Sequence, residues 1–452
     1  MEHILSYVLT CSFFILLLTS FNCKSPTAPG GKGISISVAD VSCTEVWLNL
    51  SANNVTLPAN IIIKKNGNNF LNLNLTTKDT TLYDSTLLPS QTYTYQAQYN
   101  KGFAFERSEV VTAKTLDTTS SNFSWQLFTL GNYLTGNSSI LYDVAIINDT
   151  SAWAVGEIYT DDSTGMYNAV HWNGKKWQTN KITVNFRGNN IIPILDGIYA
   201  LSENQIWLVG GLAIYGDGKV WTPFDVRKIS GFDSLSFTKC WGQFPNNMYF
   251  IGRNGSVAHY LNNNWQRIES GTGYNLYDIY SNDGKTIYAG GGDYRNYSGV
   301  LLEGQNGNWQ ILNEGKDVNA NQIFHPYFVG VAATVWVSSK NIIYFGAHFL
   351  YRNAFGKLDY VRTLPGNYLG GNNYAQNWGL INKLRGNSDN DMIMVGERNT
   401  IMHFNGLRWS QLGMPYSPNS NYDWLSVDMK GDMIIAAGFY NMNATIMVLK
   451  RK

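Results

Sequence analysis

Apolar residues in this chain fall in short runs separated by clusters of Gly, Asn, Asp and Ser, a pattern that predicts many brief strands joined by turns. From residue 125 onward the pattern repeats. Strands ending in glycine recur as Trp153-Ala154-Val155-Gly156, Trp207-Leu208-Val209-Gly210 and Tyr249-Phe250-Ile251-Gly252, then at Gly290, Gly346, Gly396 and Gly438. Successive glycines lie 38 to 56 residues apart. A tight turn and an aromatic strand follow: Asn173-Gly174 leads to Trp177, Asp217-Gly218 to Trp221, Asn262-Asn263 to Trp265, Asn306-Gly307 to Trp309 and Asn405-Gly406 to Trp409. Tyr360 holds the aromatic place in the fifth repeat. The seventh has no such strand, because Ile446-Met447-Val448-Leu449 runs into the C-terminus.

A strand-only repeat of roughly forty to fifty residues is the blade period of a β-propeller. The sequence therefore predicts an all-β chain: an N-terminal β-sandwich, then a seven-bladed β-propeller over 125–452. Trp125-Gln126-Leu127 copies Trp177-Gln178 and Trp309-Gln310 but precedes any complete repeat. Its predicted place is the missing outer strand of blade seven, so that 125–130 closes the ring and removes exposed edges. The repeated tryptophans are expected to pack between blades. In such a ring the turns before and after each glycine strand share one face and are short. The long loops share the other, where function normally resides.

The long-loop face carries Tyr368, Tyr374, Trp378, Tyr416, Tyr422 and Trp424 among Asn and Ser residues. Aromatic planes beside amide groups suit sugar rings, a protein surface, or loops that merely fold on one another. An aspartate recurs where the chain enters a blade: Asp143, Asp196, Asp278 and Asp423. These are expected at the channel mouth, fixing loops through backbone N–H groups. In a sharper reading they form a carboxylate ring that would hold a cation such as calcium. His171, His259 and His403 occupy one repeated register, which points to a structural role and not a metal cluster.

Ahead of the repeats, Val8 to Thr19 is apolar but too short to cross a bilayer as a helix, and it ends at Cys23. This segment resembles a bacterial lipoprotein signal. Asn22 replaces the usual small residue before the cysteine, and the first residues lack Lys or Arg. The resemblance implies a signal peptide over 1–22, lipidation of Cys23 and a linker over 23–33. Residues 34–116 form the next unit, in which Glu45 to Leu50 alternates like a half-buried strand containing Trp47. The stretch from Leu88-Pro89 to Tyr93 and Tyr95 resembles the end of a fibronectin type III domain, with Tyr93 as the residue whose hydroxyl ties strand to turn. Residues 117–124 link this unit to the propeller.

Composition narrows the function. Lys plus Arg (33) nearly balances Asp plus Glu (32), leaving no basic field for nucleic acid. After the signal and Cys23, only Cys43 and Cys240 remain, a poor disulfide framework. No nucleophile elbow, phosphate loop or zinc motif occurs. The ring resembles Kelch and sialidase propellers in architecture, but Gly210-Gly211 and Ser281 to Gly284 only approximate their motifs. No cofactor is expected. The first reading is a monomeric, non-enzymatic lipoprotein of the outer membrane that binds a glycan or an envelope protein through the long-loop face. The alternative is a carbohydrate-active hydrolase or lyase using carboxylates on that face. A third reading is an assembly factor for a membrane complex.

Overall fold

The computed structural model describes residues 33–101, 104–132, 136–161, 165–229, 231, 234–316, 328–347, 349–354, 357–360, 380–414 and 421–452. Among them the regular elements are strands and two single-turn 3-10 helices, grouped in two compact units. The signal, Cys23 and the linker up to residue 32 lie outside the described residues, as do Tyr368, Tyr374, Trp378 and Tyr416.

The N-terminal unit has two antiparallel sheets. One orders strands Gly33–Val41, Val46–Asn53 and Asp79–Asp84; the other orders Asn68–Leu75, Ala59–Lys65, Thr92–Lys101 and Ala104–Arg107, with Val111–Lys114 also on Thr92–Lys101. Period-two alternation buries Leu48 and Leu50 from one sheet and Ile61, Ile63, Tyr95 and Ala97 from the other. Trp47 is also buried. Tyr95 donates its hydroxyl to Asp84 at 2.6 Å, and Lys65 pairs with the same carboxylate at 2.9 Å. Tyr93 is half-buried, with the Lys65 ammonium 5.1 Å from its ring centre.

Besides the hairpin Val184–Phe186 and Asn189–Ile191, the second unit contains seven larger sheets, antiparallel but for one added strand, whose first strands are Ile140–Asn148, Gly197–Ser202, Phe237–Phe244, Asn275–Tyr280, Thr334–Val337, Ile381–Ser388 and Tyr422–Lys430. Each first strand packs against the next, and the last packs against the first, so the sheets close into a ring. This is a β-propeller, with the sheets as its blades. Six blades have four strands; the fourth adds a fifth, Phe328–Val329, parallel to Asn308–Lys316. In the seventh, Phe123–Leu130 supplies the outer strand beside Asn443–Arg451, with Phe123 opposite Arg451 and Leu130 opposite Ala444.

The recurring glycine has a steric cause. In most blades the first strand bulges by one residue just where the glycine faces it. A Cβ would then sit 2.1 Å from Ile140 O at Gly156, 1.8 Å from Ser236 O at Gly252 and 2.0 Å from Asp423 O at Gly438. In blade four this place belongs to Gly291, 2.4 Å from Asn275 O, one residue beyond Gly290. Turn chemistry is equally local. Asn306 and Gly307 both take positive φ, as a two-residue hairpin needs. At Asn173, Asp217 and Asn405 the side chain instead accepts two N–H groups from the residues that follow.

The core lies between adjacent blades. Trp207 packs against Tyr215 and Phe224 of its own blade and Phe250 and Tyr260 of the next, at ring separations of 5.0–5.2 Å. Trp177 and Trp409 are buried. Trp125 departs from the expected inter-blade packing: it is 46% exposed on its outer strand.

Candidate functional site

The first strands carry two rings of side chains into the channel on the ring axis. At the position that follows the bulge in most blades, the seven blades present Asp143, Gly197, Lys239, Asp278, Thr334, Lys383 and Ser426 in turn, opposite Val155, Val209, Ile251, Gly290, Gly346, Val395 and Ala437. Two residues on, where a strand returns to the same side, stand Ala145, Tyr199, Trp241, Tyr280, Trp336, Arg385 and Asp428. Together they line much of a cavity of about 280 Å³.

The first ring joins blades. Asp143 pairs with Lys239 at 2.9 Å and accepts the Ser426 hydroxyl at 2.6 Å and the Ile198 N–H at 3.2 Å. Asp278 pairs with Lys383 at 2.7 Å and accepts from Nη2 and Nη1 of Arg385 at 2.8 and 2.9 Å. It also accepts the Thr334 hydroxyl and the Val335 N–H, while Leu384 N–H donates to Thr334 Oγ1. One blade's side chain thus caps the strand of the next. Burial alone would raise both carboxyls; the cations win, so Asp143 is lowered and Asp278 is held well below the usual carboxylate range. Burial and the nearby Arg385 lower the Lys383 ammonium.

The second ring differs in character. Tyr199, Trp241, Tyr280 and Trp336 form a continuous arc, with neighbouring ring centres 6.2, 6.4 and 6.4 Å apart. Asp428 lies beyond the small Ala145. It accepts backbone N–H bonds from Ile146 at 2.7 Å and Met429 at 2.9 Å, and forms no ion pair among the described residues. Burial raises its carboxyl.

Asp143 and Asp278 thus line the channel, but Asp196 and Asp423 do not. Asp196 occupies the bulge position itself, one residue before Gly197. Asp423 precedes Ser426 by three residues and accepts the Arg398 N–H at 3.3 Å. No group of three or more His, Cys, Asp or Glu side chains able to hold a metal ion occurs among the described residues.

On the long-loop face, Tyr422 is half-buried and stacks on Tyr440 at 3.8 Å. Trp424 corrects the expectation of a ligand contact: it is fully buried and donates its indole N–H to Asn399. Its strand has already turned inward there, against blade six. Tyr142 and Tyr159 both donate to Glu157, at 2.7 and 3.1 Å. The repeated histidines bond to the neighbouring strand: His171 to Ser151, His259 to Asn247 and His403 to Asp391. His171 and His259 also stack on Trp153 and Tyr249.

Sequence reasoning missed Lys239, Lys383, Arg385, Asp428 and the aromatic arc. The signal was positional: the first and third residues after the bulge, with residue type varying from blade to blade.

Neither a protein-family profile nor a curated protein sequence matches this chain. In fold the chain is similar to YCF48 bound to D1 peptide, at 10% identity, 73% coverage of this chain, 95% of that one and a TM-score of 0.51. It is also similar to the WD40 β-propeller domain of Doa1, at 12% identity, 73% and 97% coverage and a TM-score of 0.50.

Proposed function

We propose that this chain is a non-enzymatic binding or scaffolding lipoprotein of the bacterial cell envelope, anchored through Cys23 and engaging an envelope protein or glycan through the long-loop face. The observation that carries the reading is the commitment of Asp143 and Asp278. Both are ionised and locked between cations and neighbouring blades, so they serve the rigidity of the ring and not proton transfer. A rigid ring with long loops on one face suits a binding scaffold. The propeller YCF48, similar in fold, has been solved with a peptide bound, which favours a protein ligand. The fibronectin type III-like reading of the N-terminal unit is supported by its two sheets, three strands in one and the remainder in the other. That unit would be a spacer between anchor and ring.

Two experiments test this. Cys23→Ala should move the protein from the membrane fraction to the soluble one; continued membrane attachment would refute the anchor. Envelope extract passed over immobilised protein should yield a partner that is lost when residues 361–379 are replaced by a Gly/Ser linker. Equal retention by that variant would remove the long-loop face as the site.

A further inference from the structure

We propose that the channel between the aromatic arc and Asp428 is a binding site for an organic ammonium group. This goes beyond the long-loop reading and stands independently of it. Four aromatic side chains from consecutive blades form one wall; the Arg385 guanidinium already lies 5.3 Å from the Tyr280 ring centre, which leaves Tyr199, Trp241 and Trp336 as the rings whose quadrupole can attract a further cation. Asp428 supplies a carboxylate beyond the arc. Among the described residues it accepts two backbone N–H groups and forms no salt bridge, and Arg385, already bound to Asp278, acts on it only at longer range. The other two channel carboxylates are spent: Asp143 on Lys239, and Asp278 on Lys383 and Arg385.

Space and selectivity agree. Ala145, between Asp428 and Tyr199 in the ring order, leaves a gap where the other blades place larger side chains. A cavity of about 280 Å³ takes an ammonium head and a short aliphatic stem with room for water. An anion of that size would meet the Asp428 carboxylate, and Lys239, Lys383 and Arg385 are each already bound to a carboxylate, the last two sharing Asp278. Burial raises the Asp428 carboxyl, so a cation bound beside it would favour its ionised form.

The test titrates the full chain with choline and with 3,3-dimethylbutan-1-ol, which replaces the charged nitrogen by carbon at equal shape, following tryptophan fluorescence from Trp241 and Trp336. Choline should give a saturable change and bind about tenfold more tightly than the alcohol. Asp428→Asn should weaken choline about tenfold and leave the alcohol unchanged. Ala145→Val should weaken both probes by closing the gap. Equal affinity for the two probes, no saturable choline signal, or tighter binding of butanoate than of choline would each overturn the proposal. The probe comparison uses the unaltered protein, so it decides the matter even where a variant fails to fold.

Discussion

Asp278 illustrates what a single residue does in this channel. Its carboxylate sits among Lys383, Arg385, Thr334 and the Val335 N–H, so it joins three blades at one point. Removing it leaves two buried cations without their partner, and Asp278→Ala should cost about 3–5 kcal/mol in chemical denaturation. Adding Lys383→Met should recover part of that loss. The pH dependence follows from the direction of the shift. Because the folded carboxyl is held below its unfolded value, its contribution is full above about pH 4 and fades as pH falls toward the folded value. Unfolding free energy below pH 4 should therefore fall less steeply in Asp278→Asn than in the parent. Glycine offers a second contrast at this scale. Gly252→Ala drives a Cβ to 1.8 Å from Ser236 O and should destabilise by about 1–3 kcal/mol. Gly67→Ala meets no atom within 4 Å and suffers only its φ of 80°, costing about 1 kcal/mol.

At the scale of the element, the strand Phe123–Leu130 carries the closure. It pairs along its whole length with Asn443–Arg451, and Arg451 Nη2 donates to both carboxylate oxygens of Asp391 in the neighbouring blade. Deleting residues 441–452 takes away its pairing partner, opens two blade edges and exposes the apolar layer between blades one and seven. That truncation should abolish cooperative unfolding of the propeller in a thermal melt; a sharp transition would show that six blades suffice. The closing strand was legible in sequence because Trp125-Gln126 copies a motif seen in complete blades. The channel was not. Its rings follow the bulge, which shifts the alternation by one residue, so Asp143 and Asp278 fall inside whereas Asp196 lands on the bulge itself. Counting aspartates finds a type; the channel is built by position. The same limit applies to Trp424, which neighbouring loop residues made look exposed.

At the scale of the molecule, the repeat determines architecture while saying little about chemistry, because blades agree where they pack and differ where they face the axis. Alternating apolar strands, bulge-facing glycines and Asx turns recur for local reasons and so announce the ring. The inward residues recur in geometry only. One consequence is that the ring tolerates relocation of its seam. Phe123 lies opposite Arg451, and Lys452 N–H donates to Asn122 O at 2.9 Å, so the two ends of the propeller segment are adjacent. The hairpin Val184–Phe186 and Asn189–Ile191 turns through Arg187 and Gly188, both at positive φ, and a Cβ on Gly188 would meet no atom within 4 Å. A circular permutant of residues 122–452, joined end to end by a short Gly/Ser linker and opened between Arg187 and Gly188, keeps every blade's strand pairing. Only its outer hairpin is cut. It should melt as one transition within a few degrees of the uncut segment, because opening there spares every blade and both channel rings and disturbs only the hairpin's own contribution, Val184, Phe186 and Ile191, to the layer between blades one and two. A broad or much lower transition would mean that stability depends on where the chain begins, and not on the closed ring alone.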